Sequence, residues 1–198
     1  MRRDSLHARL RAATDPAHRA LEDNLDWRAR VATLPGYRDL LARLYGFHAT
    51  WESEIGAQLS DEAFLAPRRR LALLAADLSH LGLGPEAVAA LPHSTPVVLH
   101  GPAAAAGALY VLEGSTLGGQ LIGRHIGGLH GFGETGLTYY RAHGPRTGAM
   151  WAAFRARLED FADDSEAEAV LTGAAVAAFA AMRMWLCGMH EHQAAGTG

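Results

Sequence analysis

The amino-acid sequence predicts an all-α fold, and three observations carry that prediction. The chain of 198 residues holds 39 alanines and 27 leucines against 7 valines and 3 isoleucines, a balance that favours helices over strands. Apolar residues recur at three- and four-residue steps along most of its length. No segment alternates with period two for long enough to form a sheet. A chain of this length is expected to fold as one domain over residues 1–198, with residues 190–198 a frayed tail.

The elements follow in order. Leu6–Trp27 reads as a first helix, with Leu6, Leu10, Ala13, Ala17, Leu21 and Leu25 on one stripe. Pro16 predicts a turn or kink just before His18, because proline removes a backbone donor. Pro35 suits a first helical turn. Leu40, Leu41, Leu44, Phe47, Trp51 and Ile55 then mark a long amphipathic helix. Pro67 is expected to open a third helix through about Leu81, stopped by Gly82 and Gly84. A short helix is expected over Glu86–Leu91, and a loop over residues 92–101. Pro102 starts a long helix reaching about Ile126, and the glycines of 127–148 predict an irregular connection. Ala149–Phe161 and Glu166–Met189 complete a bundle of six to eight helices, in which ligand sites lie between facing helices.

Charge and cysteine usage narrow the function. A net charge of −3 argues against nucleic-acid binding by a basic surface. The single cysteine, Cys187, excludes a disulfide framework. All 18 basic residues are arginine, so any bound anion would be held by Arg, His or helix N-termini. Residues 1–20 lack the apolar core of a signal peptide and no membrane span is expected, which makes the cytoplasm the expected location. Arg68-Arg69-Arg70 reads as a solvated helix start, or as a basic patch for an acidic electron donor.

Two stretches point further. Gly114, Gly118, Gly119 and Gly123 interrupt a strong helix, each at a cost of about 1 kcal/mol relative to alanine. Such glycines either pack a neighbouring helix closely or open the backbone to a flat ligand. On the first helix, Glu22 stands one turn after His18 and can accept the proton of one ring nitrogen, leaving the other as a metal ligand. The same spacing joins His48 to Glu52, so a surface His–Glu pair is the plainer reading. Arg11 lies two turns before His18, about 10.5 Å along the axis.

The stretches Leu10–Glu22, Gly36–His48 and Leu109–Gln120 together resemble the haem oxygenase family, in particular its bacterial, bacteriophytochrome-associated branch. The resemblance runs in order over nearly the whole chain. It implies an all-α fold with haem held between a proximal first helix and a kinked distal helix. The proximal iron ligand falls on His18, oriented by Glu22, and the distal residues on Gly114, Ser115, Gly118 and Gly119. Propionate-binding positions fall on Arg11 and Arg155, and a haem-packing aromatic on Phe179. Ser115 stands where mammalian-type members carry a water-organising aspartate.

The implied reaction is oxygen-dependent cleavage of haem, both substrate and cofactor, to biliverdin, carbon monoxide and ferrous iron. Electrons would come from a ferredoxin or a flavin reductase, and a phytochrome could use the biliverdin. A non-enzymatic haem carrier or sensor is the alternative. A carboxylate-bridged di-iron bundle fits poorly, because no Glu-x-x-His pair occurs.

Overall fold

The computed structural model describes residues 5–188 apart from Pro96, Glu134 and the side chain of Leu117. The expected frayed tail at 190–198 lies outside the described residues. The described residues form ten α-helices and no strand.

Helix α1 (Leu6–Leu25) starts at Ser5, whose hydroxyl accepts from the Ala8 amide. It continues as one helix through Pro16, so no turn boundary falls before His18. Pro16 lies on the exposed side, where its ring meets water rather than a neighbouring helix. Leu6, Leu10 and Leu21 are buried as expected, but Thr14 takes the buried slot between them and Ala13 is exposed. Thr14 fits that slot because its hydroxyl donates to the Leu10 carbonyl at 2.9 Å.

Asp26, in the left-handed conformation, ends α1 and caps α2 (Trp27–Val31). Thr33 caps α3 (Leu34–Leu59), a core helix carrying buried Tyr37, Phe47 and Trp51. After α4 (Glu62–Leu65), Pro67 belongs to a single 3₁₀ turn, and α5 begins only at Leu71 (Leu71–His80). Helix α6 (Pro85–Ala89) leads into the extended stretch before α7.

Helix α7 (Gly101–His130) is one α-helix of 30 residues. It continues through Gly127 and Gly128, where the irregular connection was expected to begin, and stops at Gly131, whose φ of 70° suits a left-handed cap. The connection that follows contains α8 (Thr138–Arg141), held on buried Asp77, whose carboxylate accepts from the Thr138 and Tyr139 amides. Helices α9 (Thr147–Leu158) and α10 (Ser165–Cys187) complete the fold.

The core forms where α10 lies along both α7 and α1. A Cβ on Gly107 would come within 2.0 Å of the Leu171 carbonyl oxygen, so the absence of a side chain there sets how closely α7 and α10 approach. By length and a mean hydropathy of 1.6, α10 could cross a bilayer, which the expectation of no spanning segment overlooked. Here Leu171, Ala175, Ala178, Phe179 and Met182 are buried in the bundle core.

Candidate functional site

A cleft of about 570 Å³ opens between α1 and α7 and is closed at its sides by α9 and α10. That volume suits a small-molecule ligand. Helix α1 contributes His7, Arg11, Thr14 and His18 to one wall, and α7 contributes Tyr110, Val111, Gly114 and Ser115 to the other. Trp151 of α9 and Phe179 and Met182 of α10 complete it.

His18 is half-exposed, and its Nδ1 faces the Glu22 carboxylate at 3.5 Å. Its ring meets Phe179 edge-on, with centroids 5.4 Å apart and planes at 88°. Nε2 has no hydrogen-bond partner among the described residues. This is the arrangement an imidazole needs to serve as a metal ligand: one nitrogen beside a carboxylate, the other free. Arg11 lies on the same wall, exposed and without an ion-pair partner among the described residues. Arg155 is exposed on α9 and does not line the cleft. Its charge nevertheless reaches His7, whose pKa is lowered by burial and then by Arg155 and Arg11.

The four glycines of α7 divide into two groups. Gly119 and Gly123 pack against Tyr140 of α8, where a Cβ would lie 3.4 Å and 2.9 Å from that side chain. Gly114 faces the cleft, with only the Trp151 ring edge 4.0 Å from a would-be Cβ, and Gly118 one turn on faces open space. Close packing therefore accounts for one pair, and a bare backbone surface for the other. Ser115 lines the cleft beside Gly114, its hydroxyl donating to the Leu112 carbonyl at 2.7 Å.

Glu113, the residue before Gly114, turns the other way. Its carboxylate is buried between Arg68 Nε and Arg70 Nη2, both at 3.6 Å, with His143 Nε2 at 3.9 Å. Burial raises its pKa and the two arginines pull it back. Arg70 donates to His143 Nε2 at 2.6 Å, so that nitrogen is unprotonated. Burial and the nearby arginines push the His143 pKa down to about 4. The solvated face expected for Arg68-Arg69-Arg70 is thus corrected: Arg68 and Arg70 are buried, and only Arg69 stays outside, paired with Glu62 at 2.7 Å. The motive is the buried Glu113 carboxylate, which needs nearby positive charge.

The second His–Glu pair is structural. His48 is buried and its Nδ1 meets Glu52 at 2.8 Å, while Nε2 faces the Tyr139 hydroxyl at 3.2 Å. Glu52 also accepts from the Arg70 amide at 2.7 Å.

Sequence reasoning missed His7, Tyr110 and Trp151 as cleft residues. Tyr110 lay inside the glycine-bearing stretch, four residues before Gly114, and that helical spacing was a usable signal. Nothing in the sequence distinguished Trp151 from a core tryptophan. His7 lacks the glutamate four residues on that marked His18 and His48, with Arg11 at that position instead.

Among curated proteins no significant match is found. Among the solved structures that share the fold are two heme oxygenases. Heme oxygenase 2 from Chlamydomonas reinhardtii, crystallised without heme, superposes with a TM-score of 0.72 at 18% identity, covering 92% of this chain and 96% of its own. Heme oxygenase-1 from the cyanobacterium Synechocystis, in complex with heme, gives 0.70 at 18% identity, covering 96% and 94%. The family model described as Heme oxygenase matches residues 4–187. Spanning nearly the whole described chain, that match places this protein in the haem oxygenase family.

Proposed function

We propose that this chain binds haem in the cleft between α1 and α7 and cleaves it, with oxygen and external electrons, to biliverdin, carbon monoxide and ferrous iron. Family membership supports an enzyme that degrades haem in general. The observation that carries the finer reading is the pairing of two unlike walls: a carboxylate-backed imidazole at His18 and a side-chain-free surface at Gly114. A flat ring fits that slot, and haem, as substrate and cofactor together, would supply the iron at which oxygen is activated.

The protein's own groups have these roles in the reading. His18 would hold the haem iron through Nε2, with Glu22 beside Nδ1 keeping the imidazole basic. Phe179 packs on the His18 ring and fixes its plane. Gly114, Gly118 and Gly119 keep side chains off the distal helix surface, Gly119 by letting Tyr140 seat beneath it. Ser115 can accept a hydrogen bond from cleft water while its own proton is engaged with Leu112. Glu113, the carboxylate next to Gly114, is turned into the core, so it does not stand over the ligand. Arg11 holds a propionate, and Arg155 adds charge at the same end. A ferredoxin or flavin reductase donates the electrons, and a phytochrome is a fitting recipient of the product.

The test is a hemin titration followed by reductant in air. A saturable Soret band, then biliverdin absorbance and released carbon monoxide, is the expected sequence. A bound spectrum that persists under reductant and oxygen without either product would assign a carrier or sensor instead. His18→Ala should change the axial-ligand spectrum, and an unchanged spectrum would remove His18 from that role.

A further inference from the structure

His7 stands at the Arg11 end of the cleft without a hydrogen-bond partner among the described residues. Its ring meets Trp151 edge-on at 5.5 Å and lies tilted to Tyr110 at 6.2 Å, so two aromatic side chains from α9 and α7 hold it in place. A polar ring fixed in position, lining a cleft and bonded to nothing is poised for a ligand.

The charges around it sharpen the chemistry. Arg11 on α1 and Arg155 on α9 both bear on the ring, and Glu159, in the 3₁₀ turn after α9, is the one carboxylate that does. Glu159 is partly committed already, accepting from the Leu6 amide at 3.4 Å. The Tyr110 hydroxyl interacts with Thr14 and Arg11, and burial keeps its proton on. Arg11 and the His7 imidazole therefore line one end of the cleft, and Arg155, outside the lining, adds its charge at His7 against that of Glu159, an excess of positive charge and donors that an incoming anion would balance.

We propose that His7 is a third carboxylate-binding group, completing with Arg11 and Arg155 the end of the cleft that receives the acidic edge of a flat dicarboxylate ligand. This rests on the reading of the cleft as the haem site. Burial and the two arginines favour the neutral ring in the free protein. A bound carboxylate cancels part of their field and gains from a protonated ring. Ligand binding therefore takes up a proton at His7, and it tightens as pH falls through the range in which a histidine titrates.

Three proteins and two probes test this: wild type, His7→Phe and His7→Gln, each titrated with hemin and with hemin dimethyl ester, which has no free carboxylate. The wild-type Soret titration is read first. A saturable change supports the cleft reading, and its absence would remove that reading and this one together. With binding established, calorimetry at pH 7 in two buffers of different ionisation enthalpy should show uptake of about half to one proton for hemin and none for the ester.

His7→Phe keeps a ring against Trp151. It should weaken hemin about 10- to 100-fold, as expected for a lost hydrogen bond to a charged group, and abolish proton uptake while leaving the ester's affinity unchanged. His7→Gln should recover part of the hemin affinity without the proton. If His7→Phe weakens hemin and ester alike, His7 is only a wall of the cleft. If hemin affinity and proton uptake survive the substitution, the assignment is wrong.

Discussion

Glu113 and Gly114 are adjacent in sequence and occupy opposite worlds. On one side of α7, Glu113 is locked among Arg68, Arg70 and His143 with no access to water. On the other, Gly114 presents bare backbone to a cleft. The buried side holds the helix in one rotational setting, and the open side is what that setting presents. Close order behind the helix is what allows so little side chain in front of it.

Breaking the buried side should have the largest effect. Glu113→Ala leaves two buried guanidinium groups without their counter-charge, and stability should fall by about 3–5 kcal/mol in urea unfolding. A loss under about 1 kcal/mol would mean that water already solvates the cluster. On the cleft side, Gly114→Leu should reduce hemin affinity at least about tenfold, in keeping with a side chain filling the slot. Its melting temperature should hold, because a Cβ there meets only the edge of Trp151 at 4.0 Å. Weak binding accompanied by a lower melting temperature would show that the residue packs rather than faces a ligand.

The glycines offer a finer contrast. Gly123→Ala places a Cβ 2.9 Å from that of Tyr140 and should cost about 1–3 kcal/mol as overpacking. Gly118→Ala meets nothing within 4 Å and should stabilise the fold by up to about 1 kcal/mol through helix propensity. Equal effects at the two positions would contradict the division of the stretch into packed and open glycines.

A further test of the buried side is a pH slope. With its pKa pushed down to about 4, His143 favours the native state fully above its unfolded pKa of about 6.5. That contribution is lost as pH falls from there towards 4. Glu113 carries the opposite sign, its raised pKa favouring the native state at low pH, so the measurement is a difference. Wild type should lose more stability than His143→Gln between pH 6.5 and 4, and parallel curves would remove His143 from the account.

Much of this was legible in the sequence because it rests on periodicity. The Leu6–Leu10–Leu21 stripe, the Pro35 start of α3 and the long glycine-bearing helix all follow from local patterns. His18 and Glu22 are an i, i+4 pair, and the structure brings His18 into the same cleft as Arg11, Gly114 and Phe179. What could not be read depends on partners far away in the chain. Arg68 and Arg70 look solvated until Glu113, more than forty residues on, is placed between them. The four glycines look equivalent until Tyr140 takes two of them. Pro16 looks like a turn because local rules count the missing hydrogen bond and not the tertiary packing that keeps both sides helical.

That proline has its own effect on motion. With no amide hydrogen at position 16, the carbonyl of Ala12 has no helical donor, and the ladder of α1 lacks one rung between the turn bearing Arg11 and the turn bearing His18. Local opening costs least where a rung is missing. The middle of this cleft wall should therefore open more readily than the turns on either side of it, and deuterium should enter the amides flanking residue 16 faster than those nearer Leu10 or Leu21.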